Sequence, residues 1–108
     1  MTEARVVLTT TGTRDQAEKI ANALVERELA ACVNIVGPIR SVYRWQGNVE
    51  NAEEFLLLVK TWGSAYDDVE ATIRELHSYE LPECIAIRVE KGSEEYLEWI
   101  ASAIENEK

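Results

Sequence analysis

Cysteine is scarce in this sequence: Cys32 and Cys84 are the only two among 108 residues, far apart, with no CxxC pair and no Cys/His finger spacing. That pattern excludes a disulfide-dense secreted scaffold and zinc-finger chemistry. The expectation is two free thiols packed as small hydrophobes in a reducing compartment. Long apolar runs are missing too. The longest, Phe55-Leu56-Leu57-Leu58-Val59, is far short of the ~20 residues that a bilayer-spanning helix needs. The opening Met1-Thr2-Glu3-Ala4-Arg5 lacks the basic segment and long apolar stretch of a signal peptide, so a cytoplasmic location and no membrane partner are expected. Positive charge is outnumbered, eleven Lys and Arg against twenty Asp and Glu, for a formal net charge of -9. A field of that sign repels a phosphate backbone, and no nucleic-acid partner is expected. No internal repeat, linker or low-complexity stretch interrupts the chain, apart from an expected frayed tail at Glu105 to Lys108. With 46% hydrophobic residues, a single domain over 1–108 is the natural reading.

What is present is an alternation of strand and helix patterns. Arg5 to Thr10 is short and rich in β-branched residues, a first strand. Thr13 with Gln16 three residues on fits a capping box. Ala17, Ile20, Ala21, Leu24, Val25 and Leu29 then recur at helical spacing. From Cys32 to Trp45 the odd positions Val33, Ile35, Ile39, Tyr43 and Trp45 carry the bulk, giving a strand interrupted at Gly37-Pro38. Gln46-Gly47-Asn48 predicts a reversal, and Val49 to Thr61 a return strand whose apolar block wants cover on both faces. Ser64 is placed to cap a second helix with Asp67 and Asp68 in its first turn, Val69, Ile73 and Leu76 on one side, and His77 at its end. Cys84 to Val89 follows Leu81-Pro82 as a fourth strand. Ser93 begins a last helix with Tyr96, Leu97, Ile100, Ala101 and Ile104 as its buried stripe.

The order βαββαβ plus a C-terminal helix predicts an α+β, ferredoxin-like subunit with the second and fourth strands at the sheet edges. A strand of the length Val49 to Thr61 reaches roughly 40 Å at ~3.3 Å per residue, beyond the body of so small a domain. An apolar arm and unpaired edges invite aggregation, so pairing with sister subunits is expected.

Five blocks carry a family resemblance: Ala30-Ala31-Cys32-Val33-Asn34-Ile35; Ser41-x-Tyr43-x-Trp45-Gln46-Gly47; Glu54 ahead of Lys60-Thr61; His77-x-Tyr79-Glu80-x-Pro82-Glu83; and Tyr96-Leu97-x-Trp99-Ile100. Together they resemble the divalent-cation tolerance (CutA) family over nearly the whole chain. The resemblance implies a non-enzymatic homotrimer, similar in architecture to the PII signalling proteins. It also implies a link to tolerance of copper and other divalent cations, with no cofactor required. Some members place a cysteine at the end of the first strand, where this chain reads Leu8-Thr9-Thr10. A proline common between the histidine and tyrosine of the fourth block is Ser78 here.

His77, Tyr79, Glu80 and Glu83 form the cluster with chemical potential, since imidazole suits borderline metals and carboxylates harder ones. His77 and Glu83 are the candidate ligands for copper or another divalent cation. The competing reading has His77 ending a helix against its dipole and Glu83 bonding nearby backbone. Tyr43, Trp45, Glu54, Lys60 and Tyr79 are candidate interface or pocket residues. Tyr43, Trp45 and Trp62 read as interface anchors ahead of a ligand-stacking platform, and Lys60 is placed either to pair with Glu54 or to reach an anion between subunits. A PII-like small-molecule sensor is the alternative function. An acylphosphatase is disfavoured because Thr10-Thr11-Gly12-Thr13-Arg14 only faintly echoes a phosphate cradle, and an RNA-binding sheet because the basic-aromatic signature is missing.

Overall fold

The alternating and apolar stretches form strands, and the stretches of helical period form helices. In the computed structural model, which describes residues 2–104, the order is β1 (Ala4–Thr11), α1 (Arg14–Glu26), β2 (Cys32–Trp45), β3 (Asn48–Trp62), a 3-10 turn (Gly63–Ala65), α2 (Tyr66–Leu76), β4 (Ile85–Arg88) and α3 (Glu94–Ala103). The tail expected to fray at Glu105 to Lys108 lies outside the described residues. The sheet order is β2-β3-β1-β4 with every neighbouring pair antiparallel, the ferredoxin-like α+β arrangement, and β2 and β4 are its edges. Among the described residues no helix is long and apolar enough to cross a membrane.

Gln46 (φ 52°) and Gly47 (φ 85°) both take left-handed backbone between Trp45 and Asn48. Two such central residues match the right-handed twist of the flanking strands, which is why the hairpin closes so tightly. The arm it makes stretches the molecule to 43 Å, against 25 and 21 Å in the other directions.

Register sorts the strand residues onto two faces, because residues paired across an antiparallel ladder point the same way. Val7, Val59 and Val33 share one face with Thr9, Leu57 and Ile35. This is the face the core uses, with Ile20 and Leu24 of α1 and Val69 and Ile73 of α2 packed over it. The opposite face carries Val6, Leu8, Val36, Leu56, Leu58, Ile85 and Ile87, with Lys60 and Asn34 among them. Much of it is open: Ile85 is 54% exposed and Ile87 48%. The third helix lies against β3 and β1 and leaves β4 bare on both sides.

One irregularity changes this sorting along β2. Val36 pairs with Leu56 but the next pair is Ile39 with Glu54, so three steps on β2 match two on β3. Such a bulge inserts one residue and reverses which alternate side chains face which way. Before it, Val33 and Ile35 point to the core; beyond it, Ser41, Tyr43 and Trp45 share Glu54's face, the open one. The unbroken odd-numbered pattern in the sequence conceals this switch. Gly37 sits at the bulge because a Cβ there would collide with the Phe55 ring.

Several local expectations change. The Thr13 hydroxyl accepts the Gln16 N–H (3.1 Å), but the Gln16 side chain donates to Leu76 O (3.0 Å), so half the capping box forms and the other half ties α1 to the end of α2. Val25 falls at the edge of the stripe Ala17, Ile20, Ala21 and Leu24 and is exposed, while Leu29 packs on the core from beyond the helix end. Ser64 does not cap α2. The chain leaves β3 through a 3-10 turn that runs directly into the helix, so the capping position is Ala65 and the Tyr66 N–H bonds to Gly63 O. Tyr96 is exposed rather than buried, its ring tilted 41° against that of Trp99 with centroids 5.4 Å apart, and Ile100 with Ile104 carries the packing of α3.

Thr9 Oγ1 is fully buried on the helix-covered face with no hydrogen-bond partner among the described residues. An unmet buried hydroxyl costs about 1 to 3 kcal/mol, and valine has the same shape without it. Thr9→Val is therefore expected to raise stability by about 1 kcal/mol in urea denaturation; an unchanged or lower midpoint would show that the hydroxyl is satisfied.

Candidate functional site

The segment joining α2 to β4 crosses the end of β1 and brings chemistry to the open side of the sheet. It is anchored at His77, the extended residue that caps α2. The His77 Nδ1 accepts the Tyr79 backbone N–H (3.0 Å), so the proton lies on Nε2, which donates to Thr10 O (2.7 Å). Both nitrogens of this neutral ring are thereby spent on backbone groups. Its ring lies 4.6 Å from that of Tyr79, and Tyr79 in turn passes over Gly12, where a Cβ would stand 3.2 Å from the phenol oxygen.

Held in this way, the Tyr79 hydroxyl donates to Glu54 Oε2 at 2.7 Å. Burial and the bond to Glu54 push the Tyr79 phenol far above its usual range. Glu54 is 8% exposed. Glu83 stands near enough that its own carboxyl is held above the ordinary carboxylate range, first by burial and then by the charge of Glu54. Tyr43 and Trp45 arrive from the far side of the bulge, each 43% exposed. Between these groups lies a cleft of about 630 Å³.

The cleft brings together Tyr43, Trp45, Glu54, Tyr79, Glu80 and Glu83, all singled out from sequence, and adds Thr10, Ser41, Val42 and Leu81. Thr10 and Ser41 escaped the sequence reading because their position depends on strand register and on the bulge. Lys60 is elsewhere. It lies six residues further along β3, opposite Val6 and Cys32, and donates to Asn34 Oδ1, so it does not pair with Glu54. Trp62 is opposite Ala4 and packs on the core, separated from Tyr43 and Trp45 by the length of the strand.

The metal expectation at His77 and Glu83 does not fit the donors of one chain. A ligating imidazole needs a free lone pair, and the Nδ1 lone pair of His77 is occupied. Among the described residues no group of three or more His, Cys, Asp or Glu stands ready to hold an ion.

Fold and site thus define a ferredoxin-like protein with an extended hairpin and an acidic, aromatic cleft at the base of the arm. Residues 5–103 match the family described as CutA1 divalent ion tolerance protein, and the chain belongs to that family. It is 47% identical over 95 residues to the divalent-cation tolerance protein CutA of Thermus thermophilus, an alignment covering 88% of this chain and 92% of that one. The crystal structure of CutA from Xylella fastidiosa superposes with a TM-score of 0.93 at 38% identity, covering 95% of this chain and 99% of that one. The structure described as the periplasmic divalent cation tolerance protein CutA of Archaeoglobus fulgidus gives 0.91 at 39% identity, covering 94% and 99%. The Thermus and Archaeoglobus relatives are named for cation tolerance rather than for an enzymatic reaction, and the PII-like sensor reading is set aside.

Proposed function

We propose that this protein serves divalent-cation tolerance as a non-enzymatic homotrimer whose subunits meet through the open face of the sheet. The observation that carries the proposal is that face itself: Val6, Leu8, Leu56 and Leu58, half-buried, run into the exposed Ile85 and Ile87 of β4 as one contiguous apolar surface. Apolar area of this kind gains roughly 25 cal/mol per Å² when removed from water. The two free edges favour a ring. β2 and β4 are different strands, so an edge-to-edge contact between copies is heterologous, and heterologous contacts close only cyclically, with three the smallest ring beyond a pair.

The non-enzymatic part of the reading is supported by His77, the only histidine in the sequence, whose two nitrogens hold backbone and leave no general base there. A copper or other divalent ion bound directly would take Glu83 together with donors from a neighbouring copy. A cytoplasmic location accords with Cys32 and Cys84 being free thiols.

Native mass spectrometry after equilibration with Cu(II) tests assembly and metal together. Three copies of the 12.2 kDa chain, about 37 kDa, are expected, with metal retained by the assembly and not by a dissociated chain. A single 12.2 kDa species at micromolar concentration would sink the assembly.

A further inference from the structure

The cleft at the base of the arm has a chemistry that cation tolerance does not use up. Three of its walls are aromatic, Tyr43, Trp45 and Tyr79, and three are carboxylates, Glu54, Glu80 and Glu83. Among the described residues no Lys, Arg or His lines it. The critical group is Glu54. It is more than nine-tenths buried and aimed into the cleft. One of its oxygens accepts the Tyr79 hydroxyl, and the carboxylate lines the cleft. A largely buried carboxylate is ordinarily met by a cation or by several donors. Here its charged neighbour is instead another carboxylate, Glu83, close enough to feel its field.

A positive ligand would resolve that imbalance, and the walls say which kind. A bare metal ion needs three or more converging donors and little room, whereas this site has no such donor group and about 630 Å³ of space, the size of small-molecule pockets. Aromatic faces are poor metal ligands but good surfaces for ammonium and guanidinium groups, and their edges and rings also cover methylene stems. We propose that this cleft binds a small organic cation, an alkylammonium or guanidinium compound, whose N–H groups bond Glu54 and Glu83 and whose carbon chain lies along Tyr43 and Trp45.

The cleft lies beyond the bulge, at the end of the apolar patch through which copies are proposed to meet, and the proposal goes beyond the tolerance reading above. Its test is calorimetric titration of the full-length protein with agmatine, which carries both cationic groups, in parallel with 1,4-butanediol as a neutral chain and Zn(II) as a bare ion, with the native mass recorded for every sample. Saturable binding of one agmatine per chain is expected, with no butanediol binding. Glu54→Gln should weaken agmatine about tenfold or more, Glu83→Gln and Trp45→Ala severalfold, at unchanged native mass and circular dichroism. Because Glu54 is buried, Glu83→Gln and Trp45→Ala keep the test decisive if Glu54→Gln does not fold. No saturation by about 10 mM would overturn the proposal. Equal agmatine affinity in the variants would also overturn it, as the mark of diffuse attraction to an acidic surface. Zn(II) binding without agmatine binding would do the same.

Discussion

Leu57→Ala is expected to cost about 3 kcal/mol of folding stability, within the range for emptying a well-packed leucine site. Leu57 is fully buried on the helix-covered face, paired with Thr9 on one side and Ile35 on the other, in the same cluster as Ile20, Leu24 and Ile73. Helices packed on both flanks cannot slump into the space without breaking their own contacts, so most of the cavity persists. The measurement is urea denaturation at one fixed protein concentration, because an assembling protein gains apparent stability by mass action. A large drop in midpoint with native mass preserved at zero urea is the predicted outcome. A loss below about 1 kcal/mol would mean that the site is already loosely packed.

The adjacent residue should behave in the opposite way. Leu58 lies between Leu8 and Asn34 on the open face, half-buried and outside the helix-covered core cluster. Leu58→Glu would place a carboxylate on the surface by which copies are proposed to meet, repeated in every copy. Each ion taken out of water there costs several kcal/mol, and the like charges repel. Sedimentation at micromolar concentration should show the mass falling from about 37 kDa to the 12.2 kDa chain, with the helical circular dichroism signal retained. Leu58→Met, which keeps volume and polarity, should leave the assembly intact. A trimer that tolerates Leu58→Glu would move the contact to some other surface. Two leucines side by side in the sequence thus separate folding from assembly.

The element order was legible because each signal acts locally. The Thr13 cap, the Gln46-Gly47 reversal and the apolar stripe of α1 depend only on neighbouring residues, and all three form. The family resemblance was legible for a similar reason: its blocks follow one another along the chain. What could not be read is whatever depends on register. Lys60 and Glu54 look like partners six residues apart, but side chains that far along one strand are well separated, and each finds its partner elsewhere, Asn34 and Tyr79. His77 looked like a ligand because imidazole is versatile; only the folded loop shows Thr10 O and the Tyr79 N–H on either side of it. Ser64 had the composition of a cap, and the 3-10 turn ahead of α2 took over that task.

The bulge between Val36 and Ile39 also makes the character of the cleft a question of counting. Beyond it, Tyr43 and Trp45 turn toward Glu54, while Arg40 and Arg44 turn away. Shortening that stretch of β2 by a single residue would put the strand back in phase and swap the two sets. Guanidinium groups would then hang over the carboxylates and stopper the opening with the protein's own charge. Ligand-ready and self-sealed forms of this hairpin therefore differ by one codon's worth of length rather than by any change of side chain.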